Sequence, residues 1–489
     1  MSAAIALYTA LGIPLIAIGV ANLQRSHRVP WIATLIADLG IIAVGIFVVL
    51  ARPERAVAAD NFRLDQLAGI MLLVIGSVAA LASATSRAYL DHQLEGDPLT
   101  EEKRRLYWNL FNLFTLTMIL AVVSNNLGIT WIAVEATTVS TTFLVGFKRT
   151  PKSLEAAWKY AIICSFGLSV ALLGVVVLYF GATKAGIPGS QALLINVLLR
   201  HASELNPDIV RIGIGLCIIG FGAKAGLVPF HTWLPDAHSQ APAPISAMMS
   251  GVLLSVASSV VLRVVELSTT ILGPSYGRLL LLTIGILTMG IAALLIIGQT
   301  ELKRMLAQSS MEQMGLVAIA IAINSELAIA ALLLHIVVHG IAKSSAFITA
   351  GQMEETTGKH QIADIAGMLR THPQIARGFI LAVVALVALP PFGLFWSEAG
   401  IITATVQAGY LLPAILVVLL LLIASVGLVR AGLSLTISEP RNISNHITRP
   451  VGSSIPILVA TLVAAVVGLL GTPTTHIITH VASNILQRV

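Results

Sequence analysis

The sequence predicts an all-α polytopic membrane protein, and three observations predict it. Hydrophobic residues make up 56% of the 489 residues and charged residues only 11%, against about 25% charged in soluble domains. The mean hydropathy of +0.91 is too high for a chain that must cover itself with water-facing side chains. Apolar runs of about 20 residues, the length that crosses a bilayer, recur about fourteen times.

In chain order the spans centre near Leu11, Ile41, Leu73, Leu116, Val134, Val170, Ile214, Val256, Ile286, Val317, Leu334, Val387, Leu419 and Val463. The first, from Ala3 to Val20, has no basic residues before it and no convincing small-residue cleavage site, so it reads as a retained span. Only Ser124-Asn125-Asn126 separates the fourth from the fifth, which requires a tight turn. The twelfth is interrupted at Leu389-Pro390-Pro391-Phe392-Gly393, and Lys224-Ala-Gly-Leu-Val-Pro229-Phe230 interrupts the apolar run at the seventh in the same way. Each break has an ionisable neighbour, Glu398 or Lys224. Paired interruptions of this kind point to a repeat-built transporter with its site near mid-membrane. The sizeable polar stretches run from Asp91 to Arg105 and from Thr183 to Asp208, and no long soluble domain is inserted.

The net charge of +6 has no basic run with interleaved aromatics behind it, so nucleic-acid binding is excluded. The excess instead follows the loops. Odd-numbered connections carry Arg25, Arg28, Lys103-Arg104-Arg105, Lys148, Arg149, Lys152, Lys303-Arg304, Lys359, Arg370, Arg377, Arg441 and Arg449. Positive loops stay in the cytoplasm, which puts both termini on the outer side. Cys164 and Cys217 lie in apolar runs and offer neither a disulfide framework nor a thiolate metal site. No phosphate-binding loop, dinucleotide fingerprint, CxxC or haem motif occurs, so the chain is expected to hold no redox cofactor of its own.

Against this apolar background, Glu135, Lys224, Glu312, His335, His339, Lys343 and Glu398 fall inside or at the edge of spans. An ionised group at the bilayer centre costs about 2.5–3.5 kcal/mol on insertion scales. Groups retained at that cost face the bundle interior or water, pair with one another and mark ion paths. One such pair can be a packing salt bridge; this many, spread over half the spans, favour a path. His335, His339 and Lys343 recur every fourth residue and form one helical stripe with steps of about 6 Å, a gap that one water spans. Either histidine alone reads more plainly as a core residue bonded to backbone carbonyl; Lys343 on the same face favours a proton stripe.

His231-Thr-Trp-Leu-Pro-Asp236-Ala-His238 follows the seventh span. A proline lies between the two histidines, unlike the tight i, i+4 pair of a zinc helix, so no metal site is expected and a polar linker between half-channels fits better. Lys159 near a helix start either snorkels or pairs with Glu155, and Arg263 and Glu266 are expected at the interface.

At these residues the sequence resembles the proton-conducting, antiporter-like subunits of respiratory complex I and its relatives. The likeness covers essentially the whole chain and is most specific from Gly222-Ala-Lys224 through Pro229-Phe-His231 to Asp236-Ala-His238. Within the family, Ser124 to Thr138, Glu155-Ala-Ala-Trp-Lys-Tyr and Ser310-Met-Glu312-Gln-Met-Gly look most like component F of hydrogenase-4. The Mrp cation/proton antiporters share the fold and most of the motifs.

The resemblance implies about 14 transmembrane helices with two inverted five-helix repeats and broken helices 7 and 12. It divides the chain into residues 1–106, a first repeat 107–270, a second repeat 271–438, and a C-terminal helix and short tail 439–489. The family's fifth-helix glutamate falls on Glu135 and its seventh-helix lysine on Lys224. Its eleventh-helix His and Lys positions fall on His339 and Lys343, and its charged twelfth-helix residue on Glu398. Ser255 stands where many relatives have a lysine, and Gln313 where complex I relatives often have His, with Glu312 beside it. The expected relay is therefore Glu135, Lys224, His231, His238, Glu312, His335, His339, Lys343 and Glu398.

The function expected is proton translocation by one membrane subunit of a hydrogenase-4-like or complex I-like redox assembly in the bacterial cytoplasmic membrane. Its partners would be other antiporter-like and anchoring membrane subunits, together with soluble redox subunits. Those partners, not this chain, would hold iron–sulfur clusters and, in a hydrogenase, a nickel–iron centre. The alternative is a subunit of an Mrp-type cation/proton antiporter with no redox partner, in which Na⁺ is also carried.

Overall fold

The computed structural model describes residues 2–486 apart from 24–27, 52–55, 58–59, 96, 98–99, 437, 439–456, 459–460, 464 and 467–470. The chain is almost wholly helical. A small antiparallel pairing of Ala56–Val57 with Phe62–Arg63 lies between α2 and α3.

Helix α1 (Ala3–Leu23) and α2 (Arg28–Ala51) lead into α3 (Gln66–Gln93), whose first turn is capped by Asp65 accepting from the Ala68 amide. The expected tight turn after α4 (Thr100–Val123) is present. Asn126 caps α5 (Leu127–Val145) by accepting from the amides of Gly128 and Ile129. Thr150 and Pro151 start α6 (Pro151–Lys184), and Asn206 and Pro207 start α8 (Pro207–Lys224) after the short α7 (Ile195–Arg200). Helix α9 (Trp233–Gln240) precedes α10 (Ala243–Met248), which runs through a π turn at Met249–Leu253 into α11 (Leu254–Leu272). Then follow α12 (Pro274–Gly298), α13 (Leu302–Ile323), α14 (Glu326–Thr357), the short α15 (Met368–Thr371) and α16 (Pro373–Leu386). The last are α17 (Gly393–Gln407), α18 (Leu411–Thr436) and α19 (Gly471–Leu486).

Among the described residues, 11 helical segments are long and apolar enough to cross a membrane, with α10 and α11 counted as one. The span expected near Val463 falls largely outside the described residues. Burial runs opposite to apolarity. Helix α18 is the most apolar span yet only 22% of it is buried, whereas α13 is among the least apolar and is 100% buried. Lipid tails accept Leu and Val as readily as the protein interior does, so the polar helix takes the centre. There α10, α11, α13 and α14 form a buried middle, with α1, α6 and α18 presenting side chains such as Ile16, Phe166 and Leu422 outward.

Helix continuity fails where Gly and Pro interrupt the apolar runs. Helix α8 ends at Lys224, and Gly226 takes φ +78°, a conformation open to residues lacking Cβ. The freed backbone is not left bare: the Leu227 amide returns to the Gly222 carbonyl, and the Val228 amide donates to Thr288 Oγ1 of α12 at 3.1 Å. The second interruption separates α16 from α17.

Candidate functional site

Lys224 is the last residue of α8 and is fully buried. Its Nζ donates to Thr138 Oγ1 at 2.8 Å and to the Tyr160 hydroxyl, and lies 4.7 Å from the Tyr160 ring centroid. Thr141 Oγ1 sits 2.6 Å from the same hydroxyl, so two threonines one face apart on α5 hold the lysine–tyrosine pair. Glu135, one turn before Thr138, is half-buried and uses only one oxygen: Oε1 accepts from Ser165 at 2.7 Å, while Oε2 has no partner. Glu135 thus stands on α5 one turn from Thr138, the residue that Lys224 of α8 contacts, and the two make no direct ion pair. A cavity of about 500 Å³ between α4, α5 and α6 reaches both Thr138 and Ser165, the residues that hold them.

From Lys224 a file of rings crosses the middle of the protein. Tyr160 packs on Trp233 at 4.9 Å, Trp233 on His238 at 5.9 Å and His238 on Phe347 at 5.7 Å. The Trp233 indole donates back to the Ala223 carbonyl, which fixes α9 against the end of α8. His238 Nδ1 lies 2.8 Å from the Leu234 carbonyl and so carries the proton, leaving Nε2 a buried acceptor without a partner. Ser255, in the position discussed for a lysine, is buried with its hydroxyl oxygen unpartnered. His231 lies in the break, half-buried, and its Nδ1 also lacks a partner.

Beyond Phe347, one turn back along α14, stands Lys343. Its Nζ donates to Ser309 Oγ at 2.6 Å and to the Leu306 carbonyl at 3.1 Å, both on α13. Gln313 on α13 joins the next two carboxyls. Its amide nitrogen donates to Glu312 Oε2 at 3.3 Å and to Glu398 Oε1 at 3.2 Å. Glu398 stands in the first turns of α17, just past the second interruption. The expected stripe on α14 is present. His335 and His339 stack at 5.5 Å with 16° between their planes, and His335 Nδ1 lies 3.1 Å from Ser397 Oγ. Neither nitrogen of His339 has a protein partner. The stripe is close to α10 and α11 because Gly251 of the π turn meets Gly340 backbone to backbone; a Cβ on Gly340 would come within 2.9 Å of the Gly251 carbonyl.

Eight of the nine residues singled out in the sequence therefore lie along one row through the helices, and His231 sits at its margin. Lys159 makes its expected pair with Glu155 at 2.6 Å and also reaches Asp236 at 3.3 Å. Arg263 and Glu266 are more than interfacial: Arg263 is 4% exposed and grips Asp65 in a fork at 2.9 and 3.0 Å, with Arg63 linking Asp65 to Glu266. Sequence reasoning missed two features and read a third only in part. Gln313 was marked as standing where relatives often have His, but not as the bridge between two carboxyls. The Lys303–Glu354 pair, at 3.0 Å and almost fully buried, was masked by its position near loop ends. Asp38, the sole acid in α2, met the criterion used for the other intramembrane charges and is fully buried. No group of three His, Cys, Asp or Glu suited to a metal occurs among the described residues.

Residues 124–426 match the family described as NADH:quinone oxidoreductase/Mrp antiporter, TM. The chain is 33% identical over 448 residues to the hydrogenase-4 component F homolog of Methylacidiphilum infernorum, covering 91% of this chain and 92% of that one. It is 28% identical to NADH-quinone oxidoreductase subunit N of Desulforudis audaxviator over 74% of its own length and 70% of the relative's. Its fold is similar to a chain of the membrane-bound sulfane sulfur reductase, an archaeal respiratory membrane complex, with a TM-score of 0.85, 24% identity, and 99% and 97% of the two chains covered. A chain of the Mrp complex of a Dietzia species gives a TM-score of 0.85 at 19% identity, covering 99% and 98%.

Proposed function

Because the chain belongs to the NADH:quinone oxidoreductase/Mrp antiporter transmembrane family, we propose that it moves protons across the membrane as one subunit of a hydrogenase-4-like or complex I-like redox assembly. The observation that carries this reading is the row itself. Glu135 Oε2, His238 Nε2, Ser255 Oγ, Glu312 Oε1, His335 Nε2 and both nitrogens of His339 are buried side-chain atoms without a protein partner. Buried polar atoms in proteins are satisfied by protein or by ordered water. A run of them around the two buried lysines therefore suits a hydrated path along which protons pass.

In this reading each group has a role. Lys224 is held by neutral hydroxyls, so in this reading its charge responds to the carboxylate of Glu135 on the neighbouring α5. A change of two to three pK units is worth about 3–4 kcal/mol. Moving one charge against about 150–200 mV costs roughly 3.5–4.5 kcal/mol. Approach and withdrawal of one carboxylate thus supplies energy on the scale that one proton requires. His238 links Lys224 to Lys343, and Glu312, Gln313 and Glu398 form the exit. The driving energy comes from partner subunits that hold iron–sulfur clusters and, in a hydrogenase-type assembly, a nickel–iron centre.

In the same reading the chain has about 14 spans in two inverted five-helix repeats, 107–270 and 271–438, broken at the seventh and twelfth helices. It lies in a bacterial cytoplasmic membrane with both termini outside, beside other antiporter-like and anchoring subunits. The test is proton uptake into vesicles carrying the assembled complex. Lys224→Ala is expected to abolish uptake driven by this subunit at unchanged redox turnover, and wild-type uptake rejects the proposal. The family description also covers the Mrp antiporters, which motivates a second reading: cation/proton exchange without a redox partner. Co-isolated iron–sulfur or nickel–iron subunits favour the first reading, and Na⁺-dependent proton exchange by the purified assembly favours the second.

A further inference from the structure

We propose that Asp38 is a further proton-binding carboxyl of this chain, set in the N-terminal helices away from the Glu135–Glu398 row and loaded from the membrane face where Asp91 lies. Asp38 is the eleventh residue of the 24-residue α2, about 15 Å along its axis and so near the middle of the span. It is 0% exposed. Oδ2 accepts from Ser83 of α3 at 2.7 Å, and Oδ1 is buried with no partner.

The surroundings form a built polar site. Trp31, Thr34 and Asp38 lie at i, i+3 and i+7 and share one face of α2. The Trp31 indole donates to the Ser83 carbonyl at 3.0 Å, and Asn112 of α4 donates to Thr34 Oγ1 at 2.8 Å. Asn112 Oδ1 is a second buried acceptor without a donor. Two acceptors short of donors make a cluster that takes up hydrogen, and one proton on Asp38 removes both its charge and one of these deficits. The groups facing the site from each packed element supply no counter-charge at contact distance. Helix α1 contains no charged side chain, and α2 has none between Arg28 and Asp38. Helix α4 offers Tyr107, hydrogen-bonded to Ser86 at 2.8 Å, and Arg104, which is paired with Asp91. Arg87 of α3, one turn from Ser83, is stacked over Trp31 at 5.2 Å and lies 3.8 Å from Asp91.

Arg87 also lines the approach from the surface without itself carrying the proton, since a guanidinium stays charged. Ser83, Arg87 and Asp91 recur every fourth residue on α3 and form a stripe from the half-exposed Asp91 down to the Ser83–Asp38 bond. A carboxyl serving only as a packing pin needs no such approach from the surface.

Infrared spectroscopy on the membrane-embedded assembly tests the proposal without turnover, so its outcome is independent of whether Lys224 drives transport. The wild-type minus Asp38→Asn difference spectrum at neutral pH is expected to show loss of one protonated-carboxyl stretch. That stretch is expected to shift when the membranes are transferred to D₂O. Asn keeps an acceptor for Ser83; should the variant not assemble, Ser83→Ala is expected to shift the same stretch by removing one hydrogen bond. Carboxylate bands in place of the acid stretch overturn the proposal, whether or not they respond to Na⁺, as does an acid stretch that never exchanges in D₂O.

Discussion

Gln313 shows what one uncharged side chain can set in a membrane interior. A single amide nitrogen donates to Glu312 and Glu398, so it holds two carboxyls on different helices within reach of one donor. A hydrogen bond to an ionised group is worth about 1.5–3 kcal/mol. Gln313→Leu removes both bonds with little change in volume. Proton uptake by the assembled complex is expected to fall about tenfold or more while redox turnover in uncoupled membranes holds; uptake within twofold of wild type would place the exit elsewhere. Glu312 and Glu398 were legible in the sequence because a charge in an apolar run is costly wherever it points. Gln313 was marked only as a departure from the resembled family; its bridging role was not legible, since it depends on which helix faces it.

At the scale of elements, the approach of α14 to the π turn between α10 and α11 keeps the histidine stripe beside the central file. Gly251 and Gly340 permit it, and Val74 stands 3.1 Å from where a Gly340 Cβ would be. Gly340→Val forces the helices apart, and overpacking of this kind costs about 1–3 kcal/mol. Thermal unfolding of the solubilised subunit is expected several degrees lower than wild type. Gly290→Ala in α12, where nothing lies within 4 Å, serves as the neutral control. Equal melting of the two variants would mean that this contact does not limit packing. The breaks after Lys224 and before Gly393 were visible as clustered Gly and Pro in apolar runs, because such clusters remove backbone donors and favour non-helical conformations. The close contact of Gly251 with Gly340 was not visible, since glycine in a helix is also placed by lipid contacts and bends.

For the whole molecule, charge pairs at the two ends tie distant segments together. At one end Lys148 reaches Glu355 across 207 positions at 3.2 Å, and Asp236 takes both Lys159 and Arg304. At the other, Arg263 of α11 grips Asp65 before α3 and also donates to the Val122 carbonyl of α4. Burial pushes the Asp65 carboxyl up, but Arg263 and Arg63 outweigh it and hold the group well below the usual carboxylate range. A carboxyl depressed on folding stabilises above its unfolded value of about 4 and loses that contribution as pH falls below it. Asp65→Asn is therefore expected to melt lower than wild type at neutral pH, with the gap closing as pH drops below about 4. A pH-independent gap would show that the fork acts by shape alone. Arg263→Ala removes the fork but leaves Arg63 on Asp65 at 2.9 Å, so its cost, read from the melting temperature at neutral pH, is expected to fall below the about 3–5 kcal/mol of a fully stranded buried charge.

The sequence alone determined that this chain lives in a membrane, roughly where its helices run and break, and which ionisable groups it keeps there. Hydrophobic transfer, helix termination and the cost of charge in hydrocarbon are local properties of a segment, so they can be read one run at a time. Only the tertiary structure decided that Lys224 rests on Thr138 and Tyr160 instead of touching Glu135. It also decided that Gln313 spans two acids and that Asp38 and Arg263 are buried. Those outcomes depend on how each helix is rotated against its neighbours, and rotation is fixed by packing between residues far apart in the chain.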